Sequence, residues 1–187
     1  METILSILLG IGLSAACGFR VFVPLLCMSI AASLGYLDLS PEFAWIDASY
    51  ALTAFAVATG AEVAGYYIPG VDHLLDTLAT PAAVVAGTLA SAAVMMGDVS
   101  PLLKWSLAMI AGGGIAGAVQ AGTMALRGAS TATTAGLANP LVAMGELAGA
   151  TLTSLIAIAA PVAAFVLILI FGVVVARVMV KKRATPS

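Results

Sequence analysis

Long apolar runs broken by single charges restrict this chain more than any other feature. Arg20 is the one charged side chain between residues 4 and 35, and Glu62 the one between 49 and 67. Residues 78–97 carry none, 102–126 carry Lys104, 140–158 carry Glu146 and 160–180 carry Arg177. A water-facing domain solvates its surface with about 25% charged residues. Here 9% are charged and the mean hydropathy is +1.15, so most of the surface must face lipid. At about 20 residues per crossing, the runs predict an all-α, polytopic transmembrane helical bundle of about six spans. It forms one transmembrane domain over residues 1–187. The first run is long and has no basic segment before it, so it is expected to stay as a span, bent or broken, rather than be cleaved as a signal.

Between the runs, 36–48 (YLDLSPEFAWIDA) reads as an acidic interfacial loop and 68–77 (IPGVDHLLDT) as a polar Pro-Gly turn. Residues 98–101 read as a short turn, and 127–139 (RGASTATTAGLAN) as a small polar stretch. The latter is expected to be either a cytoplasmic loop or an unwound element entering the membrane, where irregular backbone is tolerated only if it is buried or lines a cavity. Arg177, Lys181, Lys182 and Arg183 place the C-terminus in the cytoplasm. Six spans then put the N-terminus inside and the 36–48 loop outside. Of the charges that vote, only Lys104 falls on the wrong side. The expected location is a bacterial inner membrane.

The segments Ala61-Glu62-Val63-Ala64-Gly65 and Gly145-Glu146-Leu147-Ala148-Gly149 share one pattern. Each is followed by a proline expected to begin a helix, Pro81 or Pro161, and preceded by an arginine, Arg20 or Arg127. This suggests two diverged halves, about 1–98 and 101–187, of three helices each. An odd number of spans per half turns the two halves over relative to each other, the inverted-topology repeat of many secondary transporters.

A charge at the bilayer centre costs about 2.5–3.5 kcal/mol on insertion scales, so it needs a partner and a reason. The simplest pairings are Arg20 with Glu62 and Arg127 with Glu146; alternatively both glutamates converge across the halves. The functional alternative is an ion, proton or substrate pathway; the structural one is a pair of pins. Asp72 and Asp76 share one helical face and, with Glu62, offer oxygen ligands to a hard cation; equally, Asp72 caps a helix. Ser130, Thr131, Thr133 and Thr134 offer hydroxyls, and Asn139 sits where it would cap a helix starting at Pro140. Gly113 and Gly117 form a close-packing face, with Gln120 as an interhelical donor. That face can meet the same chain or a second copy, and a homodimer is the expected unit.

Several classes are excluded or disfavoured. Seven basic residues against nine acidic, a net charge of −2, leave no nucleic-acid footprint. Cys17 and Cys27 fit no metal spacing and read as apolar fillers. A single histidine and no marked nucleophile argue against an enzyme, although one acting on lipid is not excluded. No cofactor is expected; a bound cation is possible.

The segments Ser14-Ala15-Ala16-Cys17-Gly18-Phe19-Arg20 and Pro24-Leu25-Leu26, Glu62 with Ile68-Pro69-Gly70-Val71-Asp72, Asp76 and Pro81, and Arg127 with Ser130-Thr131-Ala132-Thr133-Thr134, Gly136, Asn139-Pro140 and Glu146 together resemble an uncharacterised bacterial membrane family, domain of unknown function 4126. The resemblance covers nearly the whole chain and implies a fold and a location, not an activity. The chain departs from that family's pattern at Tyr66 and Tyr67, where an Asp-Lys pair is usual, and at Leu147, where an acid is common. A solute bound through that aspartate would therefore differ here. One acidic motif per half also resembles the plan of small cation exchangers, a likeness of architecture only. The expectation is a small transporter or channel for a cation or a proton-coupled solute. The alternative is a non-transporting scaffold or complex subunit.

Overall fold

The computed structural model describes residues 2–68, 71–97 and 99–183, and every element among them is helical. Helix α1 (Glu2–Phe19) stops short of Arg20, and α2 (Phe22–Ser33) starts two residues later. The first apolar run is therefore broken. Pro24 supplies the reason: it has no N–H for the Arg20 carbonyl, and its ring would clash with that carbonyl in a continuous helix. At the third position of a new helix the missing donor does no harm. A 3₁₀ segment (Pro41–Asp47) leads into α3 (Ser49–Gly65) and then α4 (Val71–Val94). Helix α5 (Pro101–Leu107), a π-helical segment (Ala108–Gly113) and α6 (Gly114–Thr134) run on as one rod. Helices α7 (Asn139–Ala159) and α8 (Pro161–Arg183) complete the chain.

Two expected connections are helix instead. Of the 68–77 stretch, the residues from Val71 on are helical, and Asp72 and Asp76 lie in the opening turns of α4, where free backbone N–H groups favour acids. Pro69 and Gly70 lie outside the described residues. Pro81 consequently falls inside α4 rather than at a helix start, whereas Pro161 does begin α8. Most of the 127–139 stretch is helix rather than loop or unwound backbone: α6 continues to Thr134. Two of its hydroxyls are absorbed by the helix, Thr133 donating to Ala129 O at 2.8 Å and Thr134 to Ser130 O at 2.7 Å. The chain then turns at Ala135 and Gly136, both with positive φ.

The bundle is organised around α1, which packs on α4, α6, α7 and α8. Its contact faces are small: Ala83, Ala90, Ala116 and Ala157 are fully buried. Without a hydrophobic driving force between helices in lipid, close approach through small residues supplies the packing energy. At the π-helical segment a Cβ on Gly112 would fall 2.6 Å from Gly87 O, and Ser14 Oγ on α1 donates to the same carbonyl at 2.7 Å. Gly113 and Gly117 face Val84 of α4, so the glycine face meets its own chain.

The 36–48 segment is tied down. Phe43 and Ile46 are buried, Ser29 Oγ donates to Ile46 O at 2.6 Å, and Ser40 N donates to Ala93 O at 2.8 Å. Lys104 Nζ donates to Glu42 Oε2 at 2.6 Å and to Ser40 Oγ at 2.9 Å. Lys104, the cation at odds with the expected positive-inside pattern, thus has a local carboxylate partner. Outward faces carry Val57, Leu102, Ile110, Leu141, Leu155 and Leu169, all more than half exposed. Leu74–Val94, Pro101–Thr134 and Asn139–Ala159 are long and apolar enough to cross a bilayer, and Thr3–Phe19, Phe22–Ser33 and Pro161–Val173 are shorter apolar helices. This is the make-up of a helical membrane protein.

Candidate functional site: charges gathered at a helix break

The break in the first run leaves the N–H groups at the start of α2 without intrahelical partners. Glu62, on α3, takes them: its Oε1 accepts from Val21 N at 2.8 Å and its Oε2 from Phe22 N at 3.1 Å. The carboxylate is thus held by a helix N-terminus, whose dipole favours negative charge. The expected Arg20–Glu62 ion pair is replaced by this backbone cap.

Arg20 turns toward α7. Its Nη2 donates to Ala143 O at 3.0 Å and lies 3.4 Å from Glu146 Oε2. Arg127, from α6, binds Glu146 in a bidentate pair, Nε to Oε1 at 2.9 Å and Nη2 to Oε2. Its Nη1 lies 3.7 Å from Asp76 Oδ1 on α4. The guanidinium carbons of Arg20 and Arg127 stand 3.8 and 3.9 Å from the centroid of the Tyr66 ring. Both guanidiniums thus pack against the Tyr66 ring at cation–π distance. All of these side chains but Asp76, which is half-buried, are buried.

Residues from both ends of the chain therefore share one cluster: Arg20, Glu62, Tyr66 and Asp76 with Arg127 and Glu146. Two positive and three negative groups leave a formal balance of one negative charge. Tyr66 is the member that charge-based reasoning misses. It lies one helical turn after Glu62, on the same face, which is a signal in the sequence.

The remaining expected site residues do other work. Thr131 Oγ1 accepts from Asn139 Nδ2 at 3.1 Å, and Thr134 Oγ1 accepts from Ala138 N at 3.1 Å, so together they close the α6–α7 turn. Asn139 is the first helical residue rather than the cap. Ser130 Oγ is buried without a hydrogen-bond partner among the described residues. The Asp72 side chain lies outside the described set. Of the expected cation trio, Glu62 faces backbone donors and Asp76 faces Arg127. Among the described residues no group of three or more His, Cys, Asp or Glu is placed to hold a metal ion. Gln120 is buried on α6, and Cys17 and Cys27 are free thiols. Two apolar grooves, of about 410 and 470 Å³, indent the surface away from these charges.

Fold and site together define a helical membrane protein with a buried charged core. The chain belongs to the family described as domain of unknown function DUF4126, whose profile matches residues 7–181. No curated protein and no solved structure matches it.

Proposed function

We propose that this protein is a small integral membrane transporter or channel for a cation or a proton-coupled small solute. One observation carries the reading: five charged side chains from distant parts of the chain are gathered in a single, largely buried cluster at a broken helix. Each is expensive inside a bilayer, and intramembrane charges mark ion pathways and proton relays. Broken helices whose half-helix ends face the bound group are the transporters' device for making such a site. The proposed architecture has six crossings, with α1–α2 and the α5–α6 rod as one crossing each, in a bacterial inner membrane with both termini cytoplasmic. Reciprocal packing supports two inverted halves: α4 lies on α6, and α8 lies on α1. A homodimer remains the proposed unit; with Gly113 and Gly117 used inside the chain, it must form through another face. No catalytic chemistry is assigned.

A second reading, a non-transporting scaffold or complex subunit, is favoured by the bidentate Arg127–Glu146 pair, which is the geometry of a structural pin. Flux measurements in proteoliposomes separate the two. Coupled ion or proton flux by the native protein that disappears in a folded Glu62→Gln variant supports transport. Native protein that is folded but moves no ion across a broad panel, with Glu62→Gln and Glu146→Gln both failing to fold, establishes the scaffold.

A further inference from the structure

We infer that Glu62 is the one proton-exchanging group of the buried cluster, so that the ion handled at this site is a proton and not a metal cation. This rests on the transport reading above and chooses between its two cargoes. Arg20 and Arg127 each bring a full positive charge, and both are turned on the other carboxylates. Glu146 has the bidentate pair with Arg127 and lies 3.4 Å from Arg20, and Asp76 lies 3.7 Å from Arg127. Glu62 has no cation within ion-pair distance among the described residues. Its partners are the N–H groups of Val21 and Phe22, and a helix start is worth only about half a unit charge. The uncompensated negative charge of the cluster therefore sits on Glu62, which is 8% exposed. A carboxylate takes up a proton most readily where no cation balances it. One proton there makes the cluster neutral.

An independent observation lies one turn earlier on α3. Thr59 Oγ1 is buried and has no hydrogen-bond partner among the described residues. Buried polar atoms are nearly always paired, and an exception calls for an explanation. Residues 59 and 62 are neighbours on one helix face. An ionised Glu62 has no hydrogen to give, whereas a protonated one supplies the O–H that this oxygen lacks.

The donor geometry argues against a metal ion. Both Glu62 oxygens face backbone N–H groups, and both Glu146 oxygens face Arg127, which leaves no coordinating face. A proton needs a single lone pair, and each carboxylate oxygen has two. The charged and titratable groups around Glu62 are Cys17 on α1, Arg20 at the break, Tyr66 on its own helix, Asp76 on α4, Arg127 on α6 and Glu146 on α7. With both cations committed to Glu146 and Asp76, Glu62 is the member whose charge changes. Proton uptake from water forms one O–H bond and weakens the cap on Val21 and Phe22, because a hydrogen bond to a charged acceptor is about twice as strong as one to a neutral acceptor. Helix α3 packs on α2, so the proton is felt where the two helices join.

The test uses the full-length protein, in detergent for spectroscopy and in proteoliposomes for flux. Infrared difference spectra between neutral and acidic pH report the C=O stretch of a protonated carboxyl group in a water-poor site. Native protein should show that band, a folded Glu62→Gln variant should lose it, and Asp76→Asn should keep it. Thr59→Val removes the acceptor and should lower the midpoint of the band by about one pH unit, the worth of one hydrogen bond. Sodium, potassium and magnesium should leave the midpoint where it is. Amide exchange at Val21 and Phe22, taken relative to the intrinsic rate at each pH, should rise as pH falls through the same midpoint. Proton flux into proteoliposomes should vanish in Glu62→Gln. If that variant does not fold, Thr59→Val and the native amide exchange decide. A band that survives Glu62→Gln, a midpoint unmoved by Thr59→Val or displaced by the metal ions, or exchange at Val21 and Phe22 that is flat across it overturns the assignment and leaves transport standing. A band lost in Glu62→Gln, with no flux of any ion by folded native protein, supports Glu62 as the proton site and overturns the transport reading instead.

Discussion

Glu146 holds two arginines at once, so neutralising it should be the most damaging single change in the cluster. Its carboxylate takes two donors from Arg127 and lies 3.4 Å from Arg20 Nη2. In Glu146→Gln the side-chain amide retains one acceptor but turns an NH₂ group toward a guanidinium. Breaking a buried pair by removing one partner costs about 3–5 kcal/mol; here Arg20 loses its carboxylate partner and Arg127 keeps only the half-buried Asp76 at 3.7 Å, so the expected cost lies in that range. Arg127→Met should cost less, because Glu146 keeps Arg20 beside it. The double variant Glu146→Gln/Arg127→Met should be no worse than Glu146→Gln alone, since Arg20 still has the Ala143 carbonyl. That corresponds to a coupling within the 0.5–3 kcal/mol range typical of residues in one network. The assay is reversible unfolding from mild detergent into sodium dodecyl sulfate, followed by helical circular dichroism, for the native protein and all three variants. A cost below about 1 kcal/mol for Glu146→Gln, the size of an exposed pair, or strict additivity in the cycle, would refute the claim that this pair is a desolvated pin.

Three further predictions follow from specific contacts. Gly112→Ala should destabilise by about 1–3 kcal/mol, as overpacking does, because its Cβ would meet Gly87 O and Ser91; Gly114→Ala, with nothing within 4 Å, should be neutral or stabilising by up to about 1 kcal/mol from helix propensity. The same unfolding assay ranks them, and equal effects would refute the seam. Tyr66→Leu keeps an apolar body but loses the ring on which two guanidiniums pack, and should cost about 1–4 kcal/mol at roughly 0.5–2 per contact, with Tyr66→Phe close to native; a harmless Tyr66→Leu would show that these cation–π contacts contribute nothing. Glu42 is held below the ordinary carboxylate range by its hydrogen bond to the Lys104 ammonium. A lowered folded-state value means the contribution is present above the ordinary value and lost as pH falls through the lowered one. Amide exchange in residues 40–47, taken relative to the intrinsic rate at each pH, should therefore be slow at neutral pH and faster on acidification below the usual carboxylate range. Lys104→Met should make it fast at both, and protection unchanged by that substitution would rule the latch out.

Much of this architecture is legible in the apolar runs, because a helix in lipid must satisfy its own backbone and so declares its length in the sequence. The Arg127–Glu146 pair is legible too: the residues lie on helices joined by a short turn. Polar stretches mislead where a helix can absorb them. Threonines at 133 and 134 look like loop residues, yet their hydroxyls bond to carbonyls one turn back and the helix continues. Residues 72–77 look like a turn, yet acids suit the start of a helix.

The deeper gap lies at Glu62. Matching charges by count assigns it to Arg20, the nearest cation in its half, and so treats side chains as the only partners. Pro24 ends that logic. By breaking α1 at Arg20 it creates a helix start inside the bundle, and a helix start is a positive partner written in backbone atoms that no count of lysines and arginines registers. Once Glu62 is satisfied by Val21 and Phe22, Arg20 is free to cross to Glu146, and the chain's two ends become one electrostatic unit. A proline four residues after an intramembrane arginine therefore carries as much information about this site as the charges themselves.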